Sequence, residues 1–187
     1  MKQLVLVRHA KSSWNNTDLA DFDRPLSSRG KRDAPEMAER LKLWGLKPDL
    51  ILSSPAKRAR KTAKIVAEVL DYPNQAIGWD SRLYLQGVRS LLAVLAETDS
   101  SRDVVLLVGH NPDLTELAER LTGDALDGRQ RTEDGGQSFP SSVFRLPSEI
   151  PTAGVVSIRL NGESWLDLAE TGGVTERFDY PKKREET

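Results

Sequence analysis

The chain contains no cysteine among its 187 residues. This absence excludes disulfide bonds, thiolate zinc sites and a thiol nucleophile, and it is compatible with a reducing cytoplasm. Long hydrophobic runs are also missing, since the apolar stretch at residues 4–7 is too short for a signal-peptide core or a membrane span. We therefore expect a cytoplasmic protein that has no membrane partner.

Neither sign of charge dominates the sequence. The 27 Lys and Arg residues nearly balance the 28 Asp and Glu residues, for a net charge of -1, so a nucleic-acid partner is not expected. The length fits one domain with a sizeable core. We predict a single monomeric domain over residues 1–180 and a charged tail over residues 181–187.

The motifs of several common enzyme classes are absent. The chain has no Gly-x-Gly-x-x-Gly, no Gly-x-x-x-x-Gly-Lys-Ser/Thr and no Gly-x-Ser-x-Gly, which are typical of dinucleotide-binding proteins, nucleoside triphosphatases and serine hydrolases. Its only two histidines lie far apart, and no cluster of cysteines or carboxylates accompanies them. We predict neither a metal nor a cofactor.

Both histidines follow short apolar runs. Residues 4–7 lead into Arg8 and His9, and residues 104–108 lead through a glycine into His110. Such runs predict buried strands, and open α/β sheets bind ligands just beyond the carboxyl ends of their strands. The matching positions predict that the two histidines share one site. At either position, a histidine that only hydrogen-bonds to the backbone remains an alternative.

Helical and strand patterns alternate along the chain. Apolar spacings of three and four residues predict helices over 31–44, 59–70, 82–98 and 114–121, and further strands are predicted over 50–52, 155–160 and 174–178. This order predicts an α/β fold with a mostly parallel sheet and antiparallel pairing at one edge.

Three connecting segments have distinct patterns. Residues 11–28 predict a long loop over the end of the first strand, where loops usually carry function. Ser53 and Ser54, which precede Pro55, are interpreted as caps of the second helix. Residues 124–149 are polar and glycine-rich, and we predict a surface insertion there.

Three arginines are candidates for binding an anion beside His9. A neutral imidazole can attack phosphorus, and Arg8 would hold phosphoryl oxygens while disfavouring the imidazolium. Arg58 lies in the first turn of a predicted helix and could reach the same sheet edge, but its basic neighbours favour a solvated basic face. Arg24 could line the pocket or pair with a neighbouring aspartate at the surface. Spacing alone selects neither arginine for the site, and the surface position is the preferred interpretation for both.

Four ordered motifs resemble a known family. The segment Leu-Val-Arg-His-Ala-Lys-Ser at residues 6–12 resembles the Arg-His-Gly/Ala motif of the histidine phosphatase superfamily, and more narrowly the SixA-like phosphohistidine phosphatases. Residues 23–30, 48–63 and 108–112 fit the comparison in the same order. The resemblance implies a three-layer α/β/α sandwich with a mostly parallel central sheet, as in phosphoglycerate mutase-like proteins. It covers nearly the whole chain except the predicted insertion.

The resemblance also implies roles for individual residues. His9 would be the transient phosphoryl acceptor, with Arg8, Arg58 and His110 around the phosphoryl group. Arg24 joins them in the SixA-like branch. Asn15 resembles the asparagine that follows the Arg-His motif in phosphoglycerate mutase-like members, and it is assigned to phosphate binding on that basis.

One departure from the family bears on the substrate. Relatives that act on phosphate esters have a glutamate general acid in a segment where this chain continues with residues 85–87, Leu-Gln-Gly. Losing a general acid costs about 10²- to 10⁴-fold when an alkoxide must leave, whereas the imidazole of phosphohistidine leaves more readily. The resemblance and the missing acid together favour a phosphohistidine-containing protein as the substrate, such as a phosphorelay component.

Two alternatives remain at this stage. The chain could be a phosphomonoesterase for a small phosphorylated molecule, with Asp18, Asp21 or Asp23 as a substitute acid. It could also be a non-catalytic regulatory module that binds a phosphorylated ligand.

Overall fold

The computed structural model describes residues 1–123 and 149–181. The predicted insertion, apart from Glu149, and residues 182–187 of the predicted tail lie outside the described residues. The strands are β1 (Gln3–Arg8), β2 (Leu50–Ser53), β3 (Gly78–Trp79), β4 (Val104–Gly109), β5 (Val155–Leu160) and β6 (Gly173–Asp179). The α-helices are α1 (Ser28–Leu43), α2 (Lys57–Val69), α3 (Val88–Ala96), α4 (Asp113–Thr122) and α5 (Leu168–Thr171).

The strands form a mixed sheet in the order β3-β2-β4-β1-β5-β6. The first four of these strands run parallel, because helical segments connect them, and β5 and β6 add antiparallel pairs at one edge. This topology confirms the predicted α/β fold, the mostly parallel sheet and the antiparallel edge.

Helices cover both faces of the sheet. Successive residues of a strand point to opposite faces, so Leu4 and Leu6 of β1 pack in a cluster with residues of α3 and α4. Val5 and Val7 pack on the other side with residues of α1 and α2. The protein is therefore a three-layer α/β/α sandwich, as the resemblance implied. Within the described ranges, no helix is long and apolar enough to cross a membrane.

The loop after β1 is closed at its base. Ser12 and Leu26 form an antiparallel bridge, and the amide of Ser27 donates to the carbonyl of Lys11 at 2.9 Å. A Cβ added to Gly30 would lie 2.2 Å from that same carbonyl oxygen, so a larger residue would force the loop away from α1. The segment between the two bridge residues is thereby held beside the carboxyl end of β1.

Two details of the predicted helices were wrong. The predicted helix over 82–98 is shorter, because Leu85 and Gly87 have positive φ values of 51° and 82°, which a right-handed helix cannot include. A 3₁₀ turn at Ser81–Leu83 and α3 replace it. The serines before Pro55 are not caps of α2, since its N-cap is Ala56 and no side chain caps it. The sequence patterns also missed β3 and α5.

Candidate active site

Strand register brings the two histidines together. In the parallel pair of β1 and β4, Arg8 lies opposite Gly109, so His9 and His110 are the next residues of adjacent strands. The amide of His9 donates to the carbonyl of Gly109 at 3.0 Å, and the ring centroids are 4.9 Å apart. Both side chains are buried. The structure thus brings together the two histidines that follow these strand ends.

The backbone fixes the tautomer of His9. Its Nδ1 lies 2.8 Å from the carbonyl oxygen of Ala10, which can only accept, so Nδ1 carries the proton. Nε2 accepts a hydrogen bond from Nε of Arg58 at 3.2 Å. The lone pair of His9 therefore points into the cluster on the Nε2 side.

His110 has the opposite tautomer. Nη2 of Arg58 lies 3.3 Å from its Nδ1, and a guanidinium can only donate, so Nδ1 is the acceptor. Nε2 then donates to Oγ of Ser54 at 2.8 Å. Ser54 was not predicted as a member of the site, although it follows β2 at the same sheet edge as the two histidines.

Arg58 is the residue that joins the two rings. It lies in the first turn of α2, only 4% of its surface is exposed, and it contacts both His9 and His110. The alternative of a solvated position therefore does not describe Arg58. It does describe Lys57, Arg60, Lys61 and Lys64, which are exposed on another side of the same helix.

Asp21 connects the loop to the arginines. Its carboxylate accepts from Nη1 of Arg24 at 2.9 Å and from Nη2 of Arg58 at 2.7 Å. The hydroxyl of Tyr84 donates to the same carboxylate at 2.8 Å, and the Tyr84 ring packs edge-on against His110. The contact between Tyr84 and Asp21 was also not predicted from the sequence, because it joins two distant loops.

Arg24 is buried, and it contacts the loop on several sides. Besides Asp21, it donates to the carbonyl of Ser13 and to Oγ of Ser12, and its guanidinium stacks on the ring of Trp14 at 3.2 Å. Asn15 lies on the exposed part of this loop, where its backbone amide donates to Oγ of Ser13. The structure joins Arg24 to Arg58 through Asp21 and gives no contact between Asn15 and the histidines.

Arg8 projects from the end of β1 towards the segment before β5. Its Nη1 donates to the carbonyl of Ile150 at 2.6 Å and lies 3.5 Å from the carboxylate of Glu149. Its Nε is buried and has no hydrogen-bond partner among the described residues. An unpaired buried donor is costly, so an acceptor supplied by a ligand would stabilise this arrangement.

The surroundings keep both histidines neutral. Burial, together with the positive charges of Arg58 and Arg8, lowers the pKa of His9 to about 4, although the hydrogen bond to Ala10 opposes this. Burial and the proximity of His9 and Arg58 lower the pKa of His110 to about 3. Neutral imidazole beside fixed guanidinium groups is the state that a nucleophilic histidine requires.

The carboxylate of Asp21 is held in its ionised form. Partial burial opposes ionisation, but the hydrogen bonds from Tyr84 and Arg58 and the charge of Arg58 outweigh it and lower the pKa of Asp21 to about 2. Within the described residues, no group of three or more His, Asp or Glu side chains is placed to hold a metal ion.

Comparison with known proteins agrees with this fold. The family model for the histidine phosphatase superfamily (branch 1) matches residues 4–84. A proposed phosphohistidine phosphatase, SixA, of Nakamurella multipartitia is 25% identical, with 97% of each chain covered and a TM-score of 0.74. A proposed phosphohistidine phosphatase SixA of Agrobacterium tumefaciens is 26% identical, with 96% of this chain and 98% of that chain covered and a TM-score of 0.74.

Comparison of sequences also finds relatives of this chain. An uncharacterised chloroplastic protein of Arabidopsis thaliana is 33% identical over 138 residues, which are 67% of this chain and 61% of that protein. This chain therefore spans less than two thirds of that relative's length. The chain belongs to the histidine phosphatase superfamily. Within that superfamily, its fold is similar to those of the two SixA structures.

Proposed function

We propose that the chain is a phosphatase that removes the phosphoryl group from phosphohistidine on a protein, through a phospho-His9 intermediate. The observation that carries the proposal is the position of Nε2 of His9, which presents its lone pair beside Arg58 and close to His110. Because the pKa of His9 is lowered to about 4, Nε2 carries no proton at neutral pH.

The proposed reaction has two steps. First, Nε2 of His9 attacks phosphorus while the N–P bond to the substrate imidazole breaks, and the departing nitrogen takes a proton from solvent. Second, water attacks phospho-His9, which releases inorganic phosphate and restores the neutral imidazole. The covalent intermediate divides one displacement into two easier ones.

The surrounding residues bind and stabilise the transferring group. Arg8 and Arg58 would donate to the phosphoryl oxygens, with His110 beside the group, and the unpaired Nε of Arg8 would gain an acceptor. Arg24 would contribute positive charge from the loop, and phosphate binding by Asn15 stays a prediction from the family resemblance. Electrostatic stabilisation of this kind supplies most of the catalysis in phosphoryl transfer.

The lack of a general acid favours a substrate whose leaving group departs readily. No carboxylate occupies residues 85–87, and the pKa of Asp21, lowered to about 2, leaves Asp21 ionised and a poor proton donor at neutral pH. An imidazole leaving group requires less help than an alkoxide. The SixA likeness points to the same substrate class, since both SixA proteins are proposed phosphohistidine phosphatases.

The test is to trap the intermediate and rank the substrates. Wild-type protein and His9→Ala are mixed with a ³²P-labelled phosphohistidine protein and quenched in alkali, in which phosphohistidine survives. We expect label on wild-type His9 only, and faster turnover of phosphohistidine than of an alkyl phosphate. Label elsewhere, or a preference for the alkyl phosphate, would overturn the proposal.

A small-molecule phosphomonoesterase is a second candidate, because the carboxyl group of Asp21 lies within the site, although its contact with Arg58 holds it ionised. Asp21 would then have to protonate an alkoxide. In that case Asp21→Asn would abolish turnover of alkyl phosphate and remove the alkaline limb of its pH profile, whereas Asp23→Asn would do neither. A phosphate-binding protein that never forms the labelled intermediate would instead be the non-catalytic module.

A further inference from the structure

Four cations on one side of α2 take no part in the candidate active site. Lys57, Arg60, Lys61 and Lys64 are spaced by three, one and three residues, so they lie on one face of the helix. All four are exposed, and none of their side chains forms an ion pair or a hydrogen bond with another described residue. We call these four residues the basic stripe.

The basic stripe borders a groove that opens beside the candidate active site. The groove has a volume of about 320 Å³, and Phe22, Asp23 and Pro55 complete its lining. The residues that line the two sides of the groove are adjacent in sequence to residues of the site, since Asp21 precedes Phe22 and Arg58 follows Lys57. A molecule that presents a phosphoryl group to His9 would therefore have its adjoining surface over the basic stripe.

Apolar side chains are exposed at the same edge of the sheet. Trp14 is 68% exposed, Phe22 38%, Trp79 37% and Leu85 43%. Phe22 packs against Tyr84 of the site, and Trp79 stacks with Arg60 of the basic stripe at 5.1 Å. Exposed aromatic and apolar groups beside positive charge are typical of surfaces that bind other proteins.

We propose that the basic stripe docks an acidic surface of the protein that carries the phosphohistidine. This inference rests on the proposed function and names the chemistry of the partner. The four cations are complementary to a negative surface, and the eight residues from Lys57 to Lys64 extend over about 10 Å of helix, which is longer than one phosphate. The net charge of -1 and the nearby Asp21 and Asp23 disfavour nucleic acid.

The test compares hydrolysis of the same N–P bond in a small molecule and in a protein domain. The substrates are free N-phosphorylated histidine and an acidic histidine-phosphotransfer domain carrying the same N–P bond. The variant Lys61→Glu/Lys64→Glu reverses charge on the basic stripe without touching His9, Arg58 or His110. The matched control, Lys47→Glu/Arg120→Glu, reverses two exposed charges at the opposite end of the sheet, before β2 and in the last turn of α4.

We expect the stripe variant to lower kcat/KM for the phosphorylated domain by roughly 10-fold at low salt, mainly through KM, because surface charges act on encounter. The loss should shrink in 0.5 M NaCl, at which surface charges are screened. Turnover of the free substrate and both activities of the control variant should stay within about twofold. Exchanging acidic residues of the domain for lysine should restore turnover by the stripe variant.

Three results would overturn the inference. One is an unchanged rate on the phosphorylated domain, and another is an equal loss on both substrates, which would mean damage to the site. The third is displacement of the acidic domain by a single-stranded oligonucleotide of equal charge at lower concentration, which would assign the basic stripe to nucleic acid. Failure of the proposed function is distinct, because wild-type protein would then hydrolyse neither N-phosphoryl substrate.

Discussion

Nε of Arg58 donates to Nε2 of His9 across 3.2 Å, so the arginine occupies the lone pair that would attack phosphorus. A phosphoryl group that approaches His9 must therefore draw this donor onto its own oxygens. The exchange frees the nucleophile at the moment when negative charge arrives. In the proposed reaction, Arg58 would thus link binding of the substrate to exposure of the lone pair.

The first prediction tests this geometry with Arg58→Lys. Lysine keeps the charge but cannot contact His9 and His110 together with one planar group, so we expect kcat/KM to fall by about 10²- to 10³-fold. The measurement is steady-state hydrolysis of free N-phosphorylated histidine. Arg60→Lys, two residues along the same helix, should keep the wild-type rate. A comparable rate for Arg58→Lys would show that charge alone is sufficient.

The second prediction concerns Asp21→Asn. An oxyanion that binds Arg24 and Arg58 competes with the carboxylate of Asp21, so its removal should tighten inhibition by inorganic phosphate by about 3- to 10-fold. The inhibition constant is measured against N-phosphorylated histidine. Asp23→Asn serves as the control and should leave the constant unchanged. Weaker inhibition in Asp21→Asn would mean that the carboxylate mainly holds the arginines in place.

The third prediction concerns stability in acid. The pKa of His110 falls from its ordinary value to about 3 in the folded state, so the unfolded chain binds a proton that the folded chain excludes. Stability should therefore be unaffected by this residue above about pH 6.5 and should decrease as the pH falls below that value. For one such histidine, the loss between pH 7.5 and pH 5 is about 2 kcal/mol.

Urea unfolding of wild-type protein and His110→Gln at the two pH values measures this loss. The variant should lose less stability than the wild type, because glutamine does not titrate. Equal losses in the two proteins would assign the acid sensitivity to other groups.

The fourth prediction concerns Ser54→Ala. Without the hydroxyl, Nε2–H of His110 loses its acceptor, and the ring is no longer held with Nδ1 towards Arg58. We expect kcat to fall by about 10-fold with little change in KM, as for other partners that orient a catalytic histidine. Ser53→Ala is the matched control, since its hydroxyl donates only to the carbonyl of Ser54. A large rise in KM would contradict an orienting role.

The sequence predicted those parts of the site that depend on strand ends. His9 and His110 follow apolar runs. Because β1 and β4 are adjacent parallel strands in matching register, this pattern alone predicts that the two histidines lie side by side. Ser54 also follows a strand, but the proline after it is typical of a helix start. Ser54 was therefore interpreted as a helix cap and not as a residue of the site. Arg58 precedes Thr62 by one helical turn, on the buried face, and this spacing could have separated it from the basic stripe.

Other parts could not be predicted from local patterns. The contact between Asp21 and Tyr84 joins two loops, and neither loop has a periodicity. The late start of the third helix, at Val88 instead of residue 82, depends on the positive φ of Leu85, a conformation that its sequence does not encode. Such features arise from packing between distant segments.

The pairing of Gln3 with Val104 has a consequence for synthesis of the protein. Chains grow at about 5–20 residues per second, so β1 emerges roughly 5–20 s before its neighbour β4 is complete. During that interval the nascent chain already contains His9, Arg24 and Arg58, but it cannot juxtapose the two imidazoles. Phosphoryl acceptance by His9 would therefore report that the centre of the sheet has assembled, and it could serve as a folding assay on stalled ribosomes.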